Sequence, residues 1–161
     1  MLFAVECIVG CLIITMFVYI GSRNPISLVH NYPPAIKSRA QELGLWNGNS
    51  TEGRKQTMVK KILASIVIGV GLGLVVRYVN GSTTFLKGAL LTYAIWTVVN
   101  VFDALVLDIA WFCHDKRFVL PGTEDLAEDY HDYMFHIRES LVGQIIGIPV
   151  ACIAGLVCIV L

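Results

Sequence analysis

Apolar residues fall into four long stretches, separated by polar segments of very unequal length. Leu2 to Ile20 is broken only by Glu6, and Ile62 to Val79 holds one charge, Arg77. Thr84 to Cys113 contains Lys87, Asn100, Asp103 and Asp108, whereas Ser140 to Leu161 has no charge at all. A helix needs about 20 apolar residues to cross a bilayer. Each stretch is close to that length, and the third exceeds it, which implies tilt or protrusion. Asn80-Gly81-Ser82 is a tight-turn signal, so the second and third spans form a helical hairpin. The expectation is an all-α integral membrane protein, one four-transmembrane-helix bundle over residues 1–161. Its spans are 2–20, 62–79, 84–113 and 140–161, joined by long connections at 21–61 and 114–139. The first span has no basic segment before it and no small-residue cleavage site, so it is expected to be an anchor and not a signal peptide.

Both connections carry structure of their own. In the first, Asn24-Pro25 marks a turn, and Pro33-Pro34 opens a short helix to about Leu43, with Gly44 just past its end. Ile36, Ala40 and Leu43 share one face. That pattern predicts an amphipathic helix on the membrane surface, with Trp46 as interfacial anchor. Asn47 to Gln56 is polar and is expected to be a loop. In the second, Pro121-Gly122-Thr123 signals a turn and N-cap. Helical periodicity then runs from Glu124 into the fourth span, predicting one long fourth helix that extends into the cytoplasm.

Composition sharpens this picture. The chain of 161 residues is 56% hydrophobic and only 15% charged, against about 25% charged in soluble domains. Its net charge of zero gives no reason to expect a nucleic-acid partner. Ten of the twelve Lys and Arg residues lie in or beside the two long connections, and only Arg77 and Lys87 lie on the other side. By the positive-inside rule both connections are cytoplasmic. The protein is then a multi-pass protein of the cell membrane with both termini outside. The Asn49-Ser50-Thr51 glycosylation sequon would lie on the cytoplasmic side and is discounted. The five cysteines include no CxxC pair and are expected to pack as small apolar residues.

Small residues recur every fourth position at Ser65, Gly69 and Gly73, and again at Gly143, Gly147, Ala151 and Gly155. Such stripes let helix backbones approach closely in lipid, either within one chain or between copies in a homo-oligomer.

Candidate chemistry gathers at the cytoplasmic boundary. At about 100° per residue, Asn100, Asp103, Asp108 and His114 share roughly 140° of the third helix. At about 1.5 Å per residue, Asp108 lies ~8 Å and Asp103 ~15 Å inside the cytoplasmic end. A charge at helix centre costs ~2.5–3.5 kcal/mol on insertion scales, so an intramembrane carboxylate is a functional candidate by default. Asp108 is shallow enough to pair with Arg23, Lys60, Lys61 or Arg138. Asp103 has no cation at its own depth and must be neutral, bind a cation or face water. The second cluster is Glu124, Asp125, Glu128, Asp129, His131, Asp132, His136 and Glu139. Glu128-x-x-His131 has the spacing used in carboxylate–histidine metal sites on bundles, and Asp132, His136 and Glu139 add ligand types suited to manganese, iron or zinc. The same residues equally describe the solvated face of a surface helix.

Four spans, a Glu in the first (Glu6) and the string Tyr93-Ala94-Ile95-Trp96 resemble the small multidrug resistance transporters. That family has tight loops, so the long connection at 21–61 and the acidic connection at 114–139 here have no counterpart in it. No residue roles are carried over.

Three readings follow. The first is a metal-assisted membrane enzyme acting on a lipid-linked or amphipathic substrate. Asp103, Asp108 and His114 would be its catalytic groups. Arg23, Asn100, Lys60 and Lys61 would hold the substrate. A divalent metal would sit on Asp108, His114, Glu128, His131, Asp132 and His136. The second is a small cation- or proton-coupled transporter that uses Asp103. The third is an accessory subunit of a membrane complex.

Overall fold

A computed structural model describes residues 1–47 and 51–161, the side chains of Thr51, Glu52 and Arg54 excepted. Asn49 and Ser50 of the sequon, and part of the expected 47–56 loop, lie outside the described residues. Among the described residues the regular structure is entirely helical. Helix α1 spans Leu2–Ser22, followed by a 3-10 helix at Pro25–Asn31 and α2 at Pro34–Glu42. Helix α3 runs Thr51–Tyr78 and α4 Phe85–Phe102, the latter continuing as a π-helix over Asp103–Trp111. Short 3-10 helices at Phe112–His114, Lys116–Phe118 and Glu124–Leu126 lead to α5, Ala127–Tyr130, and α6, Tyr133–Val160. Four helical stretches are long and apolar enough to span a membrane: Leu2–Ser22, Lys55–Tyr78, Phe85–His114 and Tyr133–Val160.

The α3–α4 turn forms as expected. Gly81 takes φ 65°, a left-handed conformation that costs glycine little, and the Thr84 hydroxyl accepts from the Lys87 amide to cap α4. Helix α6 packs along both α3 and α4, while α1 leans on α4 and the π-helix. The small-residue stripes are used inside the chain. A Cβ on Gly69 would meet Ile153 at 2.9 Å, and one on Gly73 would meet Val157 at 2.8 Å, both on α6. Gly143, Gly147 and Gly155 abut Asn100, Trp96 and Phe85 of α4. The outward surfaces of the long helices are apolar, α1 almost all round, with Leu12, Met16 and Phe17 exposed.

Three expectations are corrected. The stretch from Thr51 to Lys61 is helical, the start of α3 and not a loop. The fourth helix does not begin at Glu124. Its first residue is Tyr133, because Asp132 leaves the helical region (ψ 76°) and spends its carboxylate capping the Phe135 amide at 2.9 Å. Helix α2 keeps its boundaries, and Gly44 sits past its end at φ 69°, but its apolar face is covered by protein. Ile36 and Ala40 are buried with Val29 and Tyr32 against Phe112 at the end of the third span and Phe118, Leu120 and Tyr130 of the other connection. Leu43, expected on that face, is exposed. The two connections thus share a core at one end of the bundle. Tyr32 donates to the Phe118 carbonyl at 2.7 Å, and its ring meets Phe112 edge-on at 4.7 Å. The Tyr130 hydroxyl accepts from the Leu120 amide at 2.9 Å and lies 2.7 Å from Thr123 Oγ1. Thr123 donates its one proton to the Leu120 carbonyl, so Tyr130 is the donor to Thr123.

Candidate functional site

Asp103 opens the π-helix and Asp108 lies five residues on. In a π-helix each amide bonds the carbonyl five residues back, so residues five apart stack on one side. The wider winding brings the two carboxyls closer together around the helix than an α-helical wheel puts them, and Asp103 lies within electrostatic reach of both Asp108 and His136. π-Helical turns occur frequently at functional sites.

Asp108 does not pair with a boundary Lys or Arg. Its Oδ2 lies 3.4 Å from Nδ1 of His136 on α6. His136 is 2% exposed, is flanked by the rings of Phe112 and Phe135 at 5.2 Å each, and has its Nε2 buried without a partner. Asn100, on the last turn of α4, donates to the Ser140 carbonyl and hydroxyl, both at 3.0 Å, and not to Asp103.

Asp103 and Asn100 also line a cavity of about 570 Å³ between α1, α3 and α4. Its walls are otherwise nearly all apolar, with Val9, Ile13, Leu72 and Val99 among them. The polar side chains on the wall are Glu6, Trp96, Asn100 and Asp103. The Trp96 indole donates to the Gly143 carbonyl at 3.0 Å, which fixes its plane. Glu6 and Trp96 were not among the expected site residues. The available signal was that Glu6 is the only charge in the first span.

His114 belongs to a separate, exposed group. Its Nε2 lies 3.5 Å from the Tyr133 hydroxyl, and its ring centroid lies 5.2 Å from that of His131. His131 Nδ1 sits 2.7 Å from the Ala127 carbonyl. A carbonyl only accepts, so this nitrogen carries a proton. The expected ligand set is therefore divided. Asp108 joins His136, His114 joins His131, Asp132 is a helix cap, and the Glu128 side chain is exposed. Among the described residues no group of three or more His, Cys, Asp or Glu side chains is arranged to hold a metal ion.

The cations expected to bind substrate stay at the surface. Arg23 lies over the Tyr19 ring at 5.2 Å. Lys60 and Lys61 are exposed, and among the described residues neither they nor Arg23 nor Arg138 come within 4 Å of a carboxylate. Lys60 and Lys61 do act on His30. Crowding by the chain, then Lys61, Lys37 and Lys60, hold its imidazole below the usual range. Lys37 is lowered mainly by burial, with Glu139 opposing that effect, and its ammonium lies over the Phe135 ring at 5.3 Å. No family model, curated protein or solved structure matches this chain.

Proposed function

We propose that this is an integral membrane protein that carries an amphipathic molecule through the cavity between α1, α3 and α4 in exchange for a proton held on Asp103. The observation that carries the reading is the cavity itself. Its volume of about 570 Å³ falls in the range of sites for drug-sized ligands, ~300–1,000 Å³, and Asp103 stands in a mostly apolar wall beside Asn100. The exposed apolar faces of the long helices suit contact with lipid. In such a setting an ionised carboxyl needs a cation beside it, whereas its neutral form can share the space with apolar surface. A lipophilic cation and a proton therefore compete for one group, which is the requirement for exchange. Asp108 and His136 continue the polar string from Asp103 toward the connection end. The bias of Lys and Arg favours the connection end as the cytoplasmic one.

The test is protein in liposomes with an imposed pH gradient and ethidium, an aromatic lipophilic cation, as probe. Wild type should move the dye in response to the gradient, and Asp103→Asn should not. Equal rates for the two proteins, or a wild-type rate no greater than that of empty liposomes, would sink the reading.

One observation favours a second reading, a membrane enzyme at the connection end acting on a lipid-linked or amphipathic substrate. It is the Asp108–His136 pair, a carboxylate orienting a buried imidazole whose other nitrogen is free. The donors expected to bind manganese, iron or zinc do not form one set here, so no step is routed through a metal. Metal analysis of the purified wild type beside Asp108→Ala separates a metal-dependent form of this reading from the carrier.

A further inference from the structure

The cavity has a second carboxyl, at the end of the bundle opposite the connections. Glu6 lines it from α1, and Asn80 in the α3–α4 turn donates from Nδ2 to Glu6 Oε1 at 2.8 Å. The other oxygen of each group, Glu6 Oε2 and Asn80 Oδ1, is buried and has no hydrogen-bond partner. A carboxyl and an amide joined by one N–H···O bond can form a second bond between their remaining oxygens only if one of those oxygens carries a proton. If Glu6 is ionised, both remaining atoms are acceptors, and two buried acceptors cannot satisfy one another. If Oε2 carries a proton, its hydroxyl can donate to Asn80 Oδ1. The two groups then close an eight-membered acid–amide ring in which every polar atom is used.

We propose that Glu6 and Asn80 form a proton-operated latch on the cavity, closed as an acid–amide pair when Glu6 is protonated and released when it is not. The latch rests on the reading of the cavity as a passage, and gives that passage a gate at the end away from the connections. Among the described residues this is the one side-chain hydrogen bond that ties α1 to another element, and α1 otherwise leans on α4 and the π-helix through apolar contact. Losing the bond frees the helix that forms one wall of the cavity.

The charged and titratable groups at this end are few. On α1 they are Cys7, Cys11 and the amino terminus. On α3 they are Arg77 and Tyr78, on α4 Lys87, and on α6 Cys158, which packs in one cluster with Cys7. Asp103 faces the same cavity from the π-helix. Arg77 does not pair with Glu6 in the closed state. Its guanidinium donates to the Leu161 carbonyl at 3.3 Å, while its Nε is buried without a partner. An ionised Glu6 released from Asn80 thus has a cation at the same end of the bundle.

The test uses the full chain in lipid nanodiscs, with its five cysteines replaced and spin labels at Phe3→Cys and Thr83→Cys, two exposed positions on α1 and beside the turn. Pulsed EPR reads the distance between them as a function of pH. In the otherwise wild-type protein the distance should lengthen as pH rises. Glu6→Gln should stay short at every pH, because the amide of Gln offers the same acceptor and donor as the protonated acid. Asn80→Leu should be long at every pH. A wild-type distance that ignores pH, or Glu6→Gln following pH as wild type does, overturns the latch. Glu6→Gln is expected to melt no lower than wild type, so it carries the test even if Asn80→Leu fails to fold. The measurement needs no transported molecule. Failure of the dye assay beside a pH-dependent distance would reject the carrier and keep the latch, and dye transport beside a fixed distance would do the reverse.

Discussion

His136 Nδ1 lies 3.4 Å from Asp108 Oδ2, so a carboxylate on the third long helix is answered by a buried imidazole of the fourth. Groups in direct contact show non-additive effects on stability, with coupling of about 0.5–3 kcal/mol. Asp108→Asn and His136→Gln should each lower the melting temperature. The double variant should lose less than the two single losses combined. Thermal melts of all four proteins in one detergent check this, and strict additivity would mean that the pair does not interact.

Tyr32 is fully buried, and its hydroxyl donates to the Phe118 carbonyl across the two connections. Tyr32→Phe keeps the ring contacts with Phe112 but strands that carbonyl. Leaving a buried acceptor unsatisfied costs about 1–3 kcal/mol. The melting temperature should fall, and protease cleavage within residues 114–132 should speed up while the long helices stay resistant.

Asp115 receives the Arg117 guanidinium and backbone amide and the Trp111 indole. The Arg117 side chain first, then its amide, hold the carboxyl well below the usual carboxylate range. A depressed folded value means stability that is present above the unfolded value of about 4 and lost as pH falls below it. Asp115→Asn should therefore melt lower than wild type at pH near 7, with the gap closing as the melts are repeated below pH near 4. A gap that is constant with pH would assign the loss to shape and not to charge.

A side chain on Gly147 would run into the Trp96 ring, and a side chain on Gly73 into Ala154 and Val157. Gly147→Leu and Gly73→Leu should each destabilise the fold by pushing α6 away from α4 or α3, while Gly71→Leu should be neutral because a Cβ there meets nothing within 4 Å. Differential scanning fluorimetry of the three variants tests the assignment of these stripes to contacts inside the chain.

The bias of Lys and Arg toward the connection end gives an expected orientation. Reporter fusions after Leu161 should be active only outside the cell, and insertions between residues 47 and 56 only in the cytoplasm. A cytoplasmic reporter signal from the fusion after Leu161 would reverse the assignment.

Much of this architecture is a local property of the chain. The four long helices follow from long, mostly apolar stretches, the α3–α4 hairpin from Asn80-Gly81-Ser82, and α2 from Pro34 at its start and Gly44 past its end. Asp103 and Asp108 could be singled out because a carboxyl in an apolar stretch is conspicuous by composition alone. The partners of these groups were not legible. Asp108 takes His136 because α6 crosses at that height, and hydropathy carries no information about which helix faces which. The winding around Asp103–Trp111 is wider than the α-helical period that apolar spacing implies, because the chain adopts a π-helix there. The face of α2 was correctly identified as apolar, but whether lipid or protein covers it depended on Tyr32, Phe118 and Tyr130 arriving from distant segments. The cavity lies between α1, α3 and α4, and Glu6 shares it with Asp103. That pairing required three helices to be placed in space, because a void and the unpaired atoms on its wall are properties of packing that no single segment encodes.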